Sequence, residues 1–215
     1  MSLARAHRRP IRTVLATAVL VALGVTQPDP VVAQEGESPR AAQQEDAPAS
    51  ACWIRGDRER LPHRASPKDS TSVTLSAGTL KVCYSRPQRR GREIYGSLVP
   101  FDRPWRLGAD EATSIHLPFP ATVAGVAVEP GWYSLYVIPG QSEWQVVVNG
   151  ESQRWGIPIN EAVRSRDVGS GTVPVEKTEE PIEMLTLTLR RTSDRAAALD
   201  VAWENTRVRV PIAAR

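Results

Sequence analysis

The stretch Leu185-Thr186-Leu187-Thr188-Leu189-Arg190 alternates apolar and polar residues without a break. A period of two puts Leu185, Leu187 and Leu189 on one face of a strand and Thr186, Thr188 and Arg190 on the other. Residues 198–204 repeat the pattern with Leu199, Val201 and Trp203, and residues 207–212 repeat it with Val208, Val210 and Ile212. Strands with one buried and one wet face belong to antiparallel sheets. Parallel strands are covered on both sides and read as unbroken apolar runs.

Upstream, residues 72–76 and 79–84 alternate around Ala77-Gly78, a hairpin pattern. Residues 112–117, 121–124 and 126–128 are further strand candidates. Pro130-Gly131 opens a strand over 132–138 and Pro139-Gly140 closes it, so that 143–149 pairs back as a hairpin. Helical signals are slight: a short helix over 160–167 with Asn160 as its cap, and a single turn over 92–98. About nine short strands predict an all-β fold, an antiparallel β-sandwich with a barrel as the alternative.

The chain has 215 residues, 27 Lys and Arg against 24 Asp and Glu. Four of those arginines, Arg5, Arg8, Arg9 and Arg12, and a single acid, Asp29, fall within residues 1–33, so the remainder is formally neutral. Nucleic-acid binding needs a cationic surplus to release counterions from phosphates, and the body has none. Residues 13–25 are apolar and end at Pro28 and Pro30, which reads as a signal peptide cleaved near Ala33. As a helix that run rises about 20 Å, short of a bilayer core of roughly 30 Å. Cys52 lies too far beyond it to be its acylation site. Residues 34–50 contain no Val, Ile, Leu, Met or aromatic residue and read as a disordered linker. One domain over 51–215 is expected, exported to the periplasm or beyond the cell, with no membrane span after cleavage. In that setting Cys52 and Cys83 are expected to form a disulfide, worth roughly 3–4 kcal/mol in the loop-entropy model.

Several ordered stretches resemble a family of exported bacterial proteins catalogued as domain of unknown function 2911. They include Tyr84-Ser85-Arg86-Pro87, Gly91-Arg92-Glu93-Ile94-Tyr95-Gly96 and Pro104-Trp105-Arg106-Leu107-Gly108-Ala109-Asp110-Glu111-Ala112-Thr113. Gly131-Trp132-Tyr133-Ser134-Leu135-Tyr136 and Trp155-Gly156 follow. The match spans about residues 62–212, with Asp110 where the family usually has Asn. The resemblance implies an exported β-rich domain and carries no reaction with it.

Two loops hold the candidate ligand-binding residues Arg86, Trp105, Arg106 and Glu111. In 103–113, Arg106 and Glu111 read either as an ion pair pinning a loop plugged by Trp105, or as part of a site. In the second reading Arg106 offers a guanidinium fork to a carboxylate or phosphate and Trp105 forms a wall. Arg86, Arg89, Arg90 and Arg92 crowd the other loop, as a solvated run or an anion trap. Six Trp also raise glycan stacking, although Trp203 follows the core alternation.

Catalytic signatures are thin. His63 and His116 are the histidines past the leader, and no serine elbow, zinc helix motif, Cys-x-x-Cys or phosphate loop occurs. No cofactor or metal is expected. Asp102, Asp110 or Glu111 could serve a glycosidase-like hydrolase, a demand that almost any sequence meets. The expectation is a non-catalytic envelope domain that binds a small anion or glycan or has a structural role, with a carboxylate-based hydrolase as the alternative.

Overall fold

The computed structural model describes residues 51–215, so the leader and linker expectations lie outside the described residues. Nine antiparallel strands form one continuous sheet in the order β1-β2-β3-β6-β7-β8-β9-β4-β5. They are β1 (Lys68–Leu75), β2 (Gly78–Ser85), β3 (Thr113–Leu117), β4 (Ala121–Val123), β5 (Val126–Val128), β6 (Gly131–Pro139), β7 (Glu143–Asn149), β8 (Asp167–Arg191) and β9 (Ala196–Ala214). A 3-10 helix covers Arg58–His63, and α1 covers Glu161–Arg164. The all-β expectation holds. No helix among the described residues is long and apolar enough to cross a membrane.

The sheet becomes a sandwich by folding along β8. The first part of β8 pairs with β7, from Asp167 opposite Asn149 to Pro174 opposite Glu143. From Val175 onward it pairs with β9, with register shifts between Lys177 and Ile182 and between Ile182 and Thr186. One strand thus serves both layers and bends where its ladder is interrupted. The inner faces supply a shared core that includes Leu80, Val82, Ile115, Leu135, Val146, Leu185, Leu187, Leu199, Val201 and Trp203.

Three sequence expectations need correction. Residues 198–204 and 207–212 are one strand, β9, with Glu204 in the left-handed region (φ 53) at the bend. Residues 168–181, to which the sequence reading assigned no element, belong to the first half of β8, hidden by Gly169, Gly171 and the polar run before Pro181. Those glycines have a packing reason: a Cβ at Gly171 would overlap the Ala124 carbonyl, and one at Gly169 would come within 2.9 Å of Val126. Residues 92–98 form no helical turn but a tight loop bridged between Tyr95 and Val99. The short helix does form, with the Asn160 side chain accepting from the Val163 N–H, but it ends at Arg164.

The facing edges of the two layers are joined by a single β-bridge between Gln88 and Met184 and by side chains rather than by a continuous ladder. Leu185 donates its N–H to the Pro87 carbonyl at 3.0 Å, and its own carbonyl accepts from Arg86 Nε at 3.1 Å. The Leu187 N–H reaches the Tyr84 hydroxyl at 3.1 Å, and the Leu189 N–H reaches Thr71 Oγ1 at 3.0 Å. These contacts satisfy backbone groups that an open edge would leave unpaired. Cys52 and Cys83 form a disulfide with a Cα–Cα distance of 5.7 Å, tying the segment before β1 to the middle of β2.

Candidate functional site

The loop between β2 and β3 builds the site. It is held in an irregular path by left-handed backbone at Asp102 (φ 59), Leu107 (φ 55) and Asp110 (φ 57). Asp tolerates that region, but for Leu it is strained, and the strain persists because Leu107 is fully buried in the core. Trp105 anchors the loop to β6 through two backbone hydrogen bonds with Val137, of 2.7 and 2.9 Å. Its indole stacks on Trp203 with ring centroids 5.9 Å apart and an 18° interplanar angle, and Tyr95 meets both rings edge-on. Trp105 therefore plugs the base of the loop.

Above that plug lies an open cleft of about 400 Å³. Its cationic lining is Arg90, Arg92 and Arg106, its aromatic lining is Trp105 and Trp203, and no carboxylate lines it. Arg106 packs across Gly156 and donates from Nε to the Gly108 carbonyl at 3.1 Å. Burial lowers its pKa from the ordinary guanidinium value, partly offset by the Asp110 charge, and it remains a cation. Arg90 donates from Nε to Gln88 at 3.3 Å, and Arg92 uses Nε and Nη2 on the carbonyls of Arg89 and Gln88. The terminal nitrogens of Arg90 and Arg106 have no hydrogen-bond or ion-pair partner among the described residues.

Of the four residues singled out from sequence, Trp105 and Arg106 line this cleft, and Arg86 and Glu111 do not. Arg86 binds Asp69, the Leu185 carbonyl and Thr186 Oγ1 at 3.0 to 3.2 Å, which makes it a stitch between the layers. Glu111 does not pair with Arg106. Its carboxylate, 1% exposed, accepts from Arg64 Nη1 at 2.8 and 2.7 Å, from the Arg55 N–H at 2.9 Å and from Lys68 Nζ at 3.3 Å. Burial pushes the Glu111 carboxyl up, but the Arg64 and Arg55 hydrogen bonds and the Lys68 charge outweigh it and hold it below the ordinary carboxylate value. Arg55 and Arg64 also lie over the Trp155 ring, at 5.8 and 5.9 Å from its centroid. The cluster clamps the segment before β1 onto the sheet.

Sequence reading missed Leu98, Ile157 and Trp203 as cleft residues. Leu98 and Ile157 are 46% and 53% exposed, but each stands among other apolar residues in sequence, Ile94, Tyr95 and Val99 for the first and Trp155 and Ile159 for the second, so no local signal marked them. His116 lies half-buried against Trp132, with centroids 4.9 Å apart, and burial lowers its pKa. A second concavity of about 480 Å³ includes Glu93, Lys177 and Glu204. There the Glu204 carboxylate is engaged by the N–H groups of Ile94 and Tyr95 at 3.1 and 3.4 Å.

The family model described as a protein of unknown function (DUF2911) matches residues 66–212. The chain belongs to the DUF2911 family. No curated protein and no solved structure gives a significant match. All three cleft arginines, with Leu98, Trp105 and Ile157, fall inside the DUF2911 span, whereas Arg55 and Arg64 of the Glu111 clamp precede it. Asp110 sits at φ 57, a conformation that Asp and Asn both tolerate.

Proposed function

We infer that this DUF2911 domain is an exported, non-catalytic binding module that takes a small anion in the cleft between the 86–92 and 103–111 loops. The observation that carries the reading is the pair of uncommitted guanidinium forks on Arg90 and Arg106, lining a cleft with no carboxylate. A planar fork matches the geometry of a carboxylate or phosphate, and the half-buried setting of Arg106 strengthens the attraction, whereas Arg90 is exposed. Export is supported by the arginine-flanked apolar leader and by the Cys52–Cys83 disulfide. A neutral glycan is less favoured, because Trp203 is only 1% exposed and Trp105 is stacked on it.

The hydrolase alternative has less support. Glu111 is paired with cations and held ionised, the opposite of a general acid, whose pKa must be raised. Calorimetric titration with inorganic phosphate tests the binding reading. Arg90→Ala and Arg106→Ala are each expected to weaken binding by about tenfold or more, as a lost charge-assisted hydrogen bond implies. Modest salt is expected to reduce it as well. Unchanged binding in the double variant would overturn the reading.

A further inference from the structure

The cleft carries a second chemical signature besides charge. Among the described residues only Leu98, Ile157 and Val168 are large hydrophobic side chains that remain well exposed, and two of the three line this cleft. Leu98 sits on the tight loop closed by the Ile94–Val99 hydrogen bond of 2.8 Å, and Ile157 follows Gly156, which pairs with the Asp110 carbonyl at 2.8 Å. Both are thus presented from anchored backbone rather than from free ends. Together with the partly exposed Trp105 they form an apolar wall beside the guanidinium forks.

Resting on the anion-binding reading above, we propose that the ligand is a small amphipathic anion: a phosphate monoester or carboxylate at Arg90 and Arg106, joined to a flat apolar body that lies against Trp105, Leu98 and Ile157. Charge complementarity fixes the polar end, because no carboxylate lines the cleft and no acid pairs with the terminal nitrogens of these arginines, although Asp110 lies near Arg106 and Glu183 accepts the Arg90 backbone N–H at 2.7 Å. The apolar end follows from the exposed aliphatic side chains of Leu98 and Ile157, which stand beside the part of Trp105 that its packing on Trp203 and Tyr95 leaves uncovered. Size sets the class. A cleft of about 400 Å³ holds a ligand of one or two rings and is too small for the acyl chains of a membrane phospholipid.

The test compares inorganic phosphate, 1-naphthyl phosphate and 2-naphthol by calorimetric titration of the exported protein with its disulfide intact. The aryl phosphate is expected to bind at least tenfold more tightly than phosphate, since burying about 60 Å² of apolar ligand surface suffices for that gain. Leu98→Ser and Ile157→Ser are expected to remove most of the gain, bringing the affinity for naphthyl phosphate down toward that for phosphate measured on the same variant. Both positions are exposed, so the fold tolerates the change, and thermal unfolding checks that it does. Equal affinity for phosphate and naphthyl phosphate would overturn the amphipathic ligand and leave anion binding standing. Naphthol binding as tightly as naphthyl phosphate would overturn the paired recognition. If neither anion binds, both readings fall. Sedimentation with phosphatidylglycerol vesicles is expected to leave the protein in solution, and co-sedimentation lost in Leu98→Ser would overturn the small-ligand class.

Discussion

The Tyr84 hydroxyl accepts the Leu187 N–H at 3.1 Å and stands 3.3 Å from the Leu187 carbonyl, filling a rung between strands that are not neighbours in the sheet. Burial raises the phenol pKa, so the group stays neutral and can both accept and donate. Tyr84→Phe keeps the ring packing and leaves a buried backbone N–H unpaired. A loss of about 1–3 kcal/mol in denaturant unfolding is expected. No loss would mean that the rung contributes nothing.

Glu111→Gln tests the clamp. It leaves the Arg64 and Lys68 charges facing a neutral amide, and breaking a buried pair by removing one partner typically destabilises by about 3–5 kcal/mol. The retained amide oxygen places the expected loss toward the lower end. Faster proteolysis within residues 55–66 would accompany it, measured against Asp102→Asn as an exposed control.

The same carboxylate predicts acid sensitivity. Its folded pKa lies below its unfolded value of about 4.3, so its stabilisation is complete above that value and is lost as pH falls through the folded pKa. Thermal unfolding from pH 6 down to pH 3 should therefore show a falling midpoint, with a shallower fall in Glu111→Gln. Parallel slopes would remove Glu111 from the account.

Gly156 is a contact between the two halves of the cleft. A Cβ there would overlap Arg106 Cδ and come within 2.8 Å of the Asp110 carbonyl oxygen. Gly156→Ala is expected to displace Arg106, lowering stability by about 1–3 kcal/mol and weakening phosphate binding. Unaltered binding would show that Arg106 is not a ligand contact.

Cys52→Ser with Cys83→Ser opens a loop with a sequence separation of 31. A loss of about 3–4 kcal/mol is expected from the unfolded chain alone, read in the denaturant midpoint.

Much of this architecture was legible because its signal is local. Leu185, Leu187 and Leu189 announce their strand by period two, and all three are buried. The first half of β8 gave no such signal, since Gly169 and Gly171 are dictated by Ala124 and Val126, which approach from the β4–β5 turn. Trp105 and Arg106 stood out because their loop breaks the alternation. Glu111 was misassigned to Arg106 because its true partner, Arg64, lies 47 residues away. Within the arginine run, Arg86 is captured by Asp69 and Arg90 is not, a distinction made by tertiary neighbours that no spacing rule contains.

The shared bent strand has a mechanical consequence. Because β8 is a member of both walls, neither wall can peel away as an intact piece while the other survives. Amide deuterium uptake in β7 and in the Leu199–Val201 stretch of β9 therefore reports one opening event, and the molecule comes apart as a hinged book whose spine is also a page.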